Sequence, residues 1–339
     1  RLNLPDAAVR DLLDSAKQKM YTARLRRPTP YVDKTVYVGW NSLCISAYLE
    51  AAKVLHLPEA RRFALRSLDR ALSQAYRPEQ SSPASEKHAP ATLMHVVAYS
   101  DPDAQHRDIP GMLDDYAFTA QACLDAYEAT ADRSYFKFAR AIVDAMVSRF
   151  FDETSGGFFD SEPEKDGNSL GALGTMRKPL QDSPTPAGNP IAAIALIRMH
   201  HYTGDASYRD KAEKTLAAFA GVAGQFGIFA ASYGIALLHF LASPLQVVVV
   251  DDGNASDADE LYKTAVSSLA FNKTVLRMKA NQAVRENLAP ALAETIPNLP
   301  QLRQGKSFAV LCSGTSCQPP VFSTEELQEQ IRRALSSEQ

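Results

Sequence analysis

The chain has 339 residues, 45% of them hydrophobic, with a formal charge of -3 and a sequence pI near 6.2; this suits one large domain with a small appendage. The near-neutral balance carries no basic stripe, which excludes a phosphate-backbone partner, so no nucleic acid is expected. The most apolar run, "LQVVVV", is far below the roughly 20 residues of a membrane span, "RLNLPDAAVRDLL" is no signal peptide, and four cysteines make no secreted disulfide framework, so no membrane partner and a cytoplasmic location are expected.

In chain order, three segments repeat one pattern: an Ala-rich apolar helix, a short turn, and a more amphipathic helix. They are "GWNSLCISAYLEAAKVL", "HLPE" and "ARRFALRSLDRALSQAY"; "LDDYAFTAQACLDAYEA", "TADRS" and "YFKFARAIVDAMVSRF"; and "GNPIAAIALIRMHHY", "TGDAS" and "YRDKAEKTLAAFAGVAG". Ala64, Ala139 and Ala212 occupy equivalent places in the second helices, a repeat of about 74 residues, longer than common solenoid units. Turns inside the hairpins are short and links between them are long, so the long loops share one face. The first helices are apolar nearly all round, whereas the second carry stripes such as Tyr135, Ala139, Ile142, Val143 and Met146 beside charged residues. Inner helices ringed by outer ones predict an α/α toroid, with "GIFAASYGIALLHFLA" as a fourth inner-type helix and Cys44 and Cys123 in the core.

After Pro244 the texture changes. "LQVVVVDD", "KTVLRMK" and "SFAVLC" read as strands, and "DADELYKTAVSSL" and "STEELQEQIRRAL" as helices, the last opened by a capping box of Ser323 or Thr324 with Glu326. The expected organisation is toroid helices and mouth loops over residues 1–243 and a small α/β unit over 244–339.

The long-loop face also holds the N-termini of the inner helices, where free N–H groups and the helix dipole favour oxygen-rich ligands. Those helices open on Trp40 and Asn41, on Asp114, Asp115 and Tyr116, and on Gly188 and Asn189. Asp, Asn and Gly are also ordinary caps, and core packing is the competing role for Trp40; three such openings on one face nevertheless predict a shared pocket. The loop "MRKPLQDSPTPAGN" adds Arg177, Lys178 and Asp182, and "FFDETSGGFFDSE" reads as a glycine-turned hairpin. Aromatics, carboxylates, amides and cations at one mouth suit a sugar or polyol.

Adjacent helical residues point about 100° apart, so Asp114 and Asp115 divide their roles, with Asp114 expected as the cap and Asp115 in the pocket. Acid–base work on a glycoside takes two carboxylates about 5 to 10 Å apart. Asp115 and Asp182 are the expected pair, with Asp114 also in the candidate catalytic set and Asp33 in reserve. Arg177 and Lys178 would orient oxygens; Trp40 and Tyr116 would stack or hydrogen-bond; Asn41 and Asn189 complete the binding set. No metal and no cofactor are expected. Cys312 and Cys317 are spaced C-x4-C, which fits an inert pair or a disulfide better than a metal site.

The motifs "DK…WN", "LDDYAF", "FFDETSGGFFD", "RKPLQDSPTPAGN" and "FAVLCSGTSCQPPV", in that order, resemble the C-terminal half of the YyaL / spermatogenesis-associated protein 20 family. The resemblance implies an (α/α)6 six-hairpin toroid related to N-acylglucosamine 2-epimerases and several glycosidases, incomplete in this chain, with a small C-terminal α/β unit. It implies a preceding thioredoxin-like domain, absent here, and the missing initiator Met predicts a trimmed piece of a longer protein. The ring would be completed by the absent segment or by a partner chain. Asp33, Lys34, Trp40 and Asn41 match the family pattern, whereas Val32 replaces an acid and Ser42 a glycine. The expected function is a carbohydrate-binding or carbohydrate-processing toroid, a sugar epimerase or isomerase or a glycoside hydrolase. The alternative is a non-catalytic binding or scaffold module working with the thioredoxin-like domain in redox or regulation.

Overall fold

Three helical hairpins, α2 (Val38–Leu55) with α3 (Pro58–Ala75), α4 (Leu113–Thr130) with α5 (Arg133–Phe150), and α6 (Gly188–Thr203) with α7 (Ala206–Phe219), turn in one way. In the computed structural model, which describes residues 4–78, 90–100, 108–162, 176–252, 255–313 and 316–336, each inner helix ends on a left-handed residue: His56 (φ 55°), Ala131 (φ 57°) and Gly204 (φ 75°). A left-handed residue just past a helix lets its N–H reach back to the last turn, here to the carbonyls of Ala52, Tyr127 and His200. The next helix then starts at once. Asp132 and Asp205 cap α5 and α7 by accepting from the N–H groups of Ser134 and Ser207 at 2.8 and 2.9 Å.

The same repeat ties neighbouring hairpins together. Tyr135 on α5 donates to Asp69 on α3 (2.7 Å), and Tyr208 on α7 donates to Asp144 on α5 (2.5 Å). Ala64, Ala139 and Ala212 are all fully buried, which is why small residues recur there. Tyr135→Phe is expected to lower stability by about 1 kcal/mol, the net worth of one such bond, and Tyr208→Phe by a similar amount. The two act at different junctions, so a double variant should show the sum in urea unfolding.

The inner helices α2, α4 and α6 pack in sequence, followed by α8 (Ala231–Leu241), with α3, α5 and α7 outside. The chain is therefore mainly α, an incomplete α/α toroid of three hairpins and a fourth inner helix. Among the described residues the arc is open at both ends, and its two end helices are not buried all round. Trp40, Cys44, Tyr48 and Leu55 are exposed along α2, and Ile235, Leu238 and Leu241 along α8. Cys44, expected in the core, lies on this open edge; Cys123 is buried as expected. The stretch Ala223–Leu241 has the length and apolarity of a membrane span. It is a 3-10 run, Ala223–Ala230, itself kinked at Gly227 (φ 53°), followed by α8, and Tyr233 and Ala236 pack with Leu216 and Phe219 of α7.

Helix α1 (Asp6–Leu25) was not among the predicted elements. It buries no residue and exposes Leu12, Leu13, Met20 and Tyr21.

Short strand pairs stitch the loops over the mouth. Strand β1 (Val36–Tyr37) pairs with β4 (Val96–Ala98), and β2 (Tyr76–Arg77) with β3 (Thr92–Leu93). Much of the long links, 79–89, 101–107 and 163–175, lies outside the described residues. The C-terminal unit contains β5 (Leu245–Asp251), α9 (Ala255–Ser267), β6 (Lys273–Lys279), the short α10 (Pro290–Ala293), β7 (Phe308–Ser313), β8 (Ser316–Cys317) and α11 (Thr324–Ser336). Its sheet order is β6-β5-β7-β8, with β5 and β6 parallel. The centre of β5, residues 247–250, is apolar because both faces are covered: Val248 and Val250 join the toroid core, and Val247 and Val249 pack with Leu261 of α9 and Leu327 of α11. Cys312 and Cys317 face each other across β7 and β8 and form a disulfide.

Candidate functional site

The N-termini of α2, α4 and α6 meet at the mouth, and two glycines allow it. A Cβ on Gly39 would lie 3.0 Å from Asp115 Oδ1, and one on Gly188 would lie 2.3 Å from Asp114 Oδ1 and 2.9 Å from Leu113. Asp115 thus faces α2, and Asp114 faces α6. Gly188→Ala has no room beside the Leu113 side chain and is expected to destabilise the fold by about 2 kcal/mol, which the thermal unfolding midpoint would register.

The expected division of the two acids is reversed. Asp115 is 2% exposed and accepts from the backbone N–H of Met112 (2.9 Å, Oδ2), the helix-capping bond, and from that of Gly39 (2.9 Å, Oδ1). Its Oδ2 also lies 2.8 Å from Nδ1 of His95. The third position of a helix can reach back to the cap residue, and the second cannot, so Asp115 takes the cap.

Asp114 is half-buried and, among the described residues, makes no hydrogen bond. Burial, then repulsion from Asp115 and Asp160, pushes its carboxyl up to about 6, against an opposing pull from His95. Such a group is poised for proton transfer near neutrality.

His95 was not in the predicted set. It stands between β3 and β4, where its N–H donates to Ile109 and its carbonyl accepts from Val38 at the start of α2. The hydrogen bond to Asp115 raises the imidazole above its ordinary range, partial burial opposes that, and the charges of Asp115 and Asp114 add to the rise. With Nδ1 on a carboxylate oxygen, that nitrogen carries the hydrogen; nothing described bonds to Nε2. Tyr37 tilts against His95 at 5.3 Å and against Trp40 at 4.8 Å between ring centroids, and Trp40 is 58% exposed. A lone histidine in a loop carries no periodic signal, so the sequence offered no handle on it.

The other predicted residues divide into loop-builders and mouth residues. Asp182, the expected second carboxylate, accepts from Ala187 N–H (2.8 Å), Ser232 N–H (2.8 Å) and Ser232 Oγ (2.5 Å). Both oxygens are committed to tying the loop before α6 to the start of α8, so the pair Asp115 and Asp182 is two satisfied acceptors rather than an acid and a base. Asn189 is fully buried, accepting from Phe158 N–H and donating to the carbonyls of Phe158 and Pro179. Lys178 pairs with Asp152 at 2.7 Å and donates to Ser155 and to the Gly156 carbonyl. The hydrogen bond from Lys178, with those from Ser155 and Thr154, holds the Asp152 carboxyl far below the usual range. Tyr116 is buried, its oxygen accepting from Leu93 N–H. Asn41 donates to the Tyr37 carbonyl, and Asp33 accepts from Thr35 N–H and Oγ1. Arg177 is exposed, its backbone bonded to Asp160, whose carbonyl accepts from Leu113 N–H at the start of α4. Among the described residues no group of three or more His, Cys, Asp or Glu is placed to hold a metal ion.

No family model matches the chain. Spermatogenesis-associated protein 20 of Homo sapiens is 28% identical over 340 residues, covering 97% of this chain, and that of Rattus norvegicus is 26% identical over 336 residues, covering 98%. The chain is similar to spermatogenesis-associated protein 20. It spans 40% of the length of these relatives. Among solved structures, a GH76 alpha-mannanase of Bacteroides thetaiotaomicron is 19% identical with a TM-score of 0.42, covering 62% of this chain and 54% of that one. A cellobiose 2-epimerase of Bacillus thermoamylovorans is 13% identical with a TM-score of 0.41, covering 56% and 46%.

Proposed function

We propose that the mouth is a carbohydrate-processing site working by acid–base catalysis, with Asp114 as the base and His95, held by Asp115, as the proton donor. The observation that carries this reading is the contrast between adjacent acids: Asp115 is bonded on both oxygens, while Asp114 makes no hydrogen bond among the described residues and is pushed up to about 6. Between that value and the raised value of His95 the carboxylate is charged and the imidazole protonated, so proton removal and delivery are both available at once. Tyr37 and Trp40 supply stacking surface for a sugar ring and Arg177 a cation for its oxygens. Epimerisation or isomerisation of an unphosphorylated sugar and hydrolysis of a glycoside both fit this pair. The test is a screen of sugars and glycosides for both reactions, read as a function of pH. A bell-shaped profile with its acid limb near 6, lost in Asp114→Asn, supports the reading; turnover by Asp114→Asn equal to that of the parent ends it.

The exposed apolar edges of α2 and α8 and the unpacked α1 further support closure of the ring by helices outside these 339 residues. Helix α1 precedes an inner helix, as an outer helix does, and its own inner partner would come before it. Hydrogen exchange at α1 and α8 should slow in a chain extended at its N-terminus.

The second reading, a binding or scaffold module, draws on the resemblance, which implies an acid at the position of Val32. That module would bind sugars at the mouth and show no turnover in the same screen.

A further inference from the structure

At the opposite end of the inner helices from the mouth, a cavity of about 520 Å³ lies between the toroid and the C-terminal unit. Its walls come from the C-terminal ends of α2 and α4 and from the carboxyl ends of the parallel strands β5 and β6. Open α/β sheets bind ligands outside the carboxyl ends of their parallel strands. We propose that this cavity binds a small zwitterion, an ammonium group and a carboxylate on one compact frame, of which a free α-amino acid with an apolar side chain is the simplest case. The site is independent of the chemistry at the mouth.

The ammonium end is provided for by the toroid. Helix C-termini favour cations, and two carboxylates stand at the end of α4, each with one oxygen that takes no hydrogen bond among the described residues, beside the charges of Arg198 and Lys53. Asp125 Oδ1 pairs with Arg198 at 2.8 Å, and Glu128 Oε1 takes Arg198 at 2.6 Å and the Tyr202 hydroxyl at 2.8 Å. Asp125 Oδ2 and Glu128 Oε2 are left without a bond among the described residues. The carboxylate end is provided for by β6. Arg277 is held by Asp251 and Asp259, whereas the neighbouring Lys279 ammonium, at the rim of the cavity, has no partner among the described residues. Between the two ends stands Tyr262, whose hydroxyl bonds to nothing described and whose ionisation is suppressed mainly by burial. Leu49, Ala52, Pro58 and Met278 form an apolar wall for a side chain.

The charges of the lining argue against a simple ion. Lys53, Arg61, Arg277 and Lys279 are matched by Glu50, Asp125, Glu128 and Asp251, so a phosphate or a cation meets as much repulsion as attraction. A zwitterion can satisfy both signs without leaving either exposed in a confined space.

The experiment is calorimetric titration of the 339-residue chain with leucine, and separately with isoamylamine, 4-methylpentanoate, inorganic phosphate and glucose. Leucine is expected to bind, and each single-charge analogue to bind about tenfold more weakly or worse, the value of one charge-assisted hydrogen bond. Lys279→Ala, an exposed change that leaves the fold alone, should weaken leucine by about tenfold and leave isoamylamine unchanged; Tyr262→Phe should weaken leucine less. The proposal is overturned if leucine does not bind at millimolar concentration, if amine, carboxylate, phosphate or glucose binds as tightly as leucine, or if Lys279→Ala binds leucine as well as the parent does.

Discussion

Asp114→Asn is expected to lower turnover about 100-fold or more, the usual contribution of a positioned base, and to make the protein more stable at pH 7. The two effects have one cause. Folding moves the Asp114 carboxyl from 3.8 to about 6, so ionising it costs the native state more than it costs the unfolded chain. A group raised in this way contributes its stability fully below pH 3.8 and loses it as pH rises through about 6. The amide never ionises and avoids that loss. At pH 7 the variant should gain roughly 2 kcal/mol, allowing for the partial exposure of the carboxylate. The gain should disappear below about pH 3, where the parent carboxyl is protonated in both states. Urea unfolding of both proteins at about pH 3 and pH 7 checks this, and the difference between them removes every group they share.

Asp115→Ala is expected to act in the opposite sense. It removes the acceptor for two backbone N–H groups and one imidazole, leaving three donors without their partner in a site that is 2% exposed. The expected destabilisation is about 4 kcal/mol, seen as a large fall in the urea midpoint with unchanged slope. The milder Asp115→Asn should keep the fold and lower the His95 pKa, because the hydrogen bond that leads the upward shift is weakened while burial remains. Imidazole proton NMR across pH 5 to 9 measures that shift. A His95 that titrates identically in the parent and in Asp115→Asn would show that Asp115 only holds helices together.

The pairing of pKa shifts at the mouth was only half legible in the sequence. Hairpin repeats are visible because periodicity and turn chemistry are local: the turns expected at "TADRS" and "TGDAS" separate the paired helices, and the equivalent alanines are all buried. "LQVVVV" announces a strand covered on both faces, and it is one. Which of two adjacent acids caps a helix is decided by reach, and Asp115 wins because its position meets the Met112 N–H. His95 enters through a strand pair that joins distant loops, and no local pattern encodes such a contact. Asp182, Asn189 and Lys178 look like ligand-binding residues in the sequence because polar loop residues serve both purposes. The structure spends their hydrogen bonds on the loops themselves. Helix α1 was missed for a different reason: among the described residues it buries none of its side chains, and it lacks the Ala-rich apolar pattern that marked the inner helices.

The central claim is that Asp114 is a carboxyl poised near neutrality, and it can be measured without knowing the substrate. A carboxyl-carbon NMR titration of the parent, with the Asp114 resonance assigned by its loss in Asp114→Asn, should give a midpoint of about 6. A midpoint at the ordinary 3.8 would contradict the account.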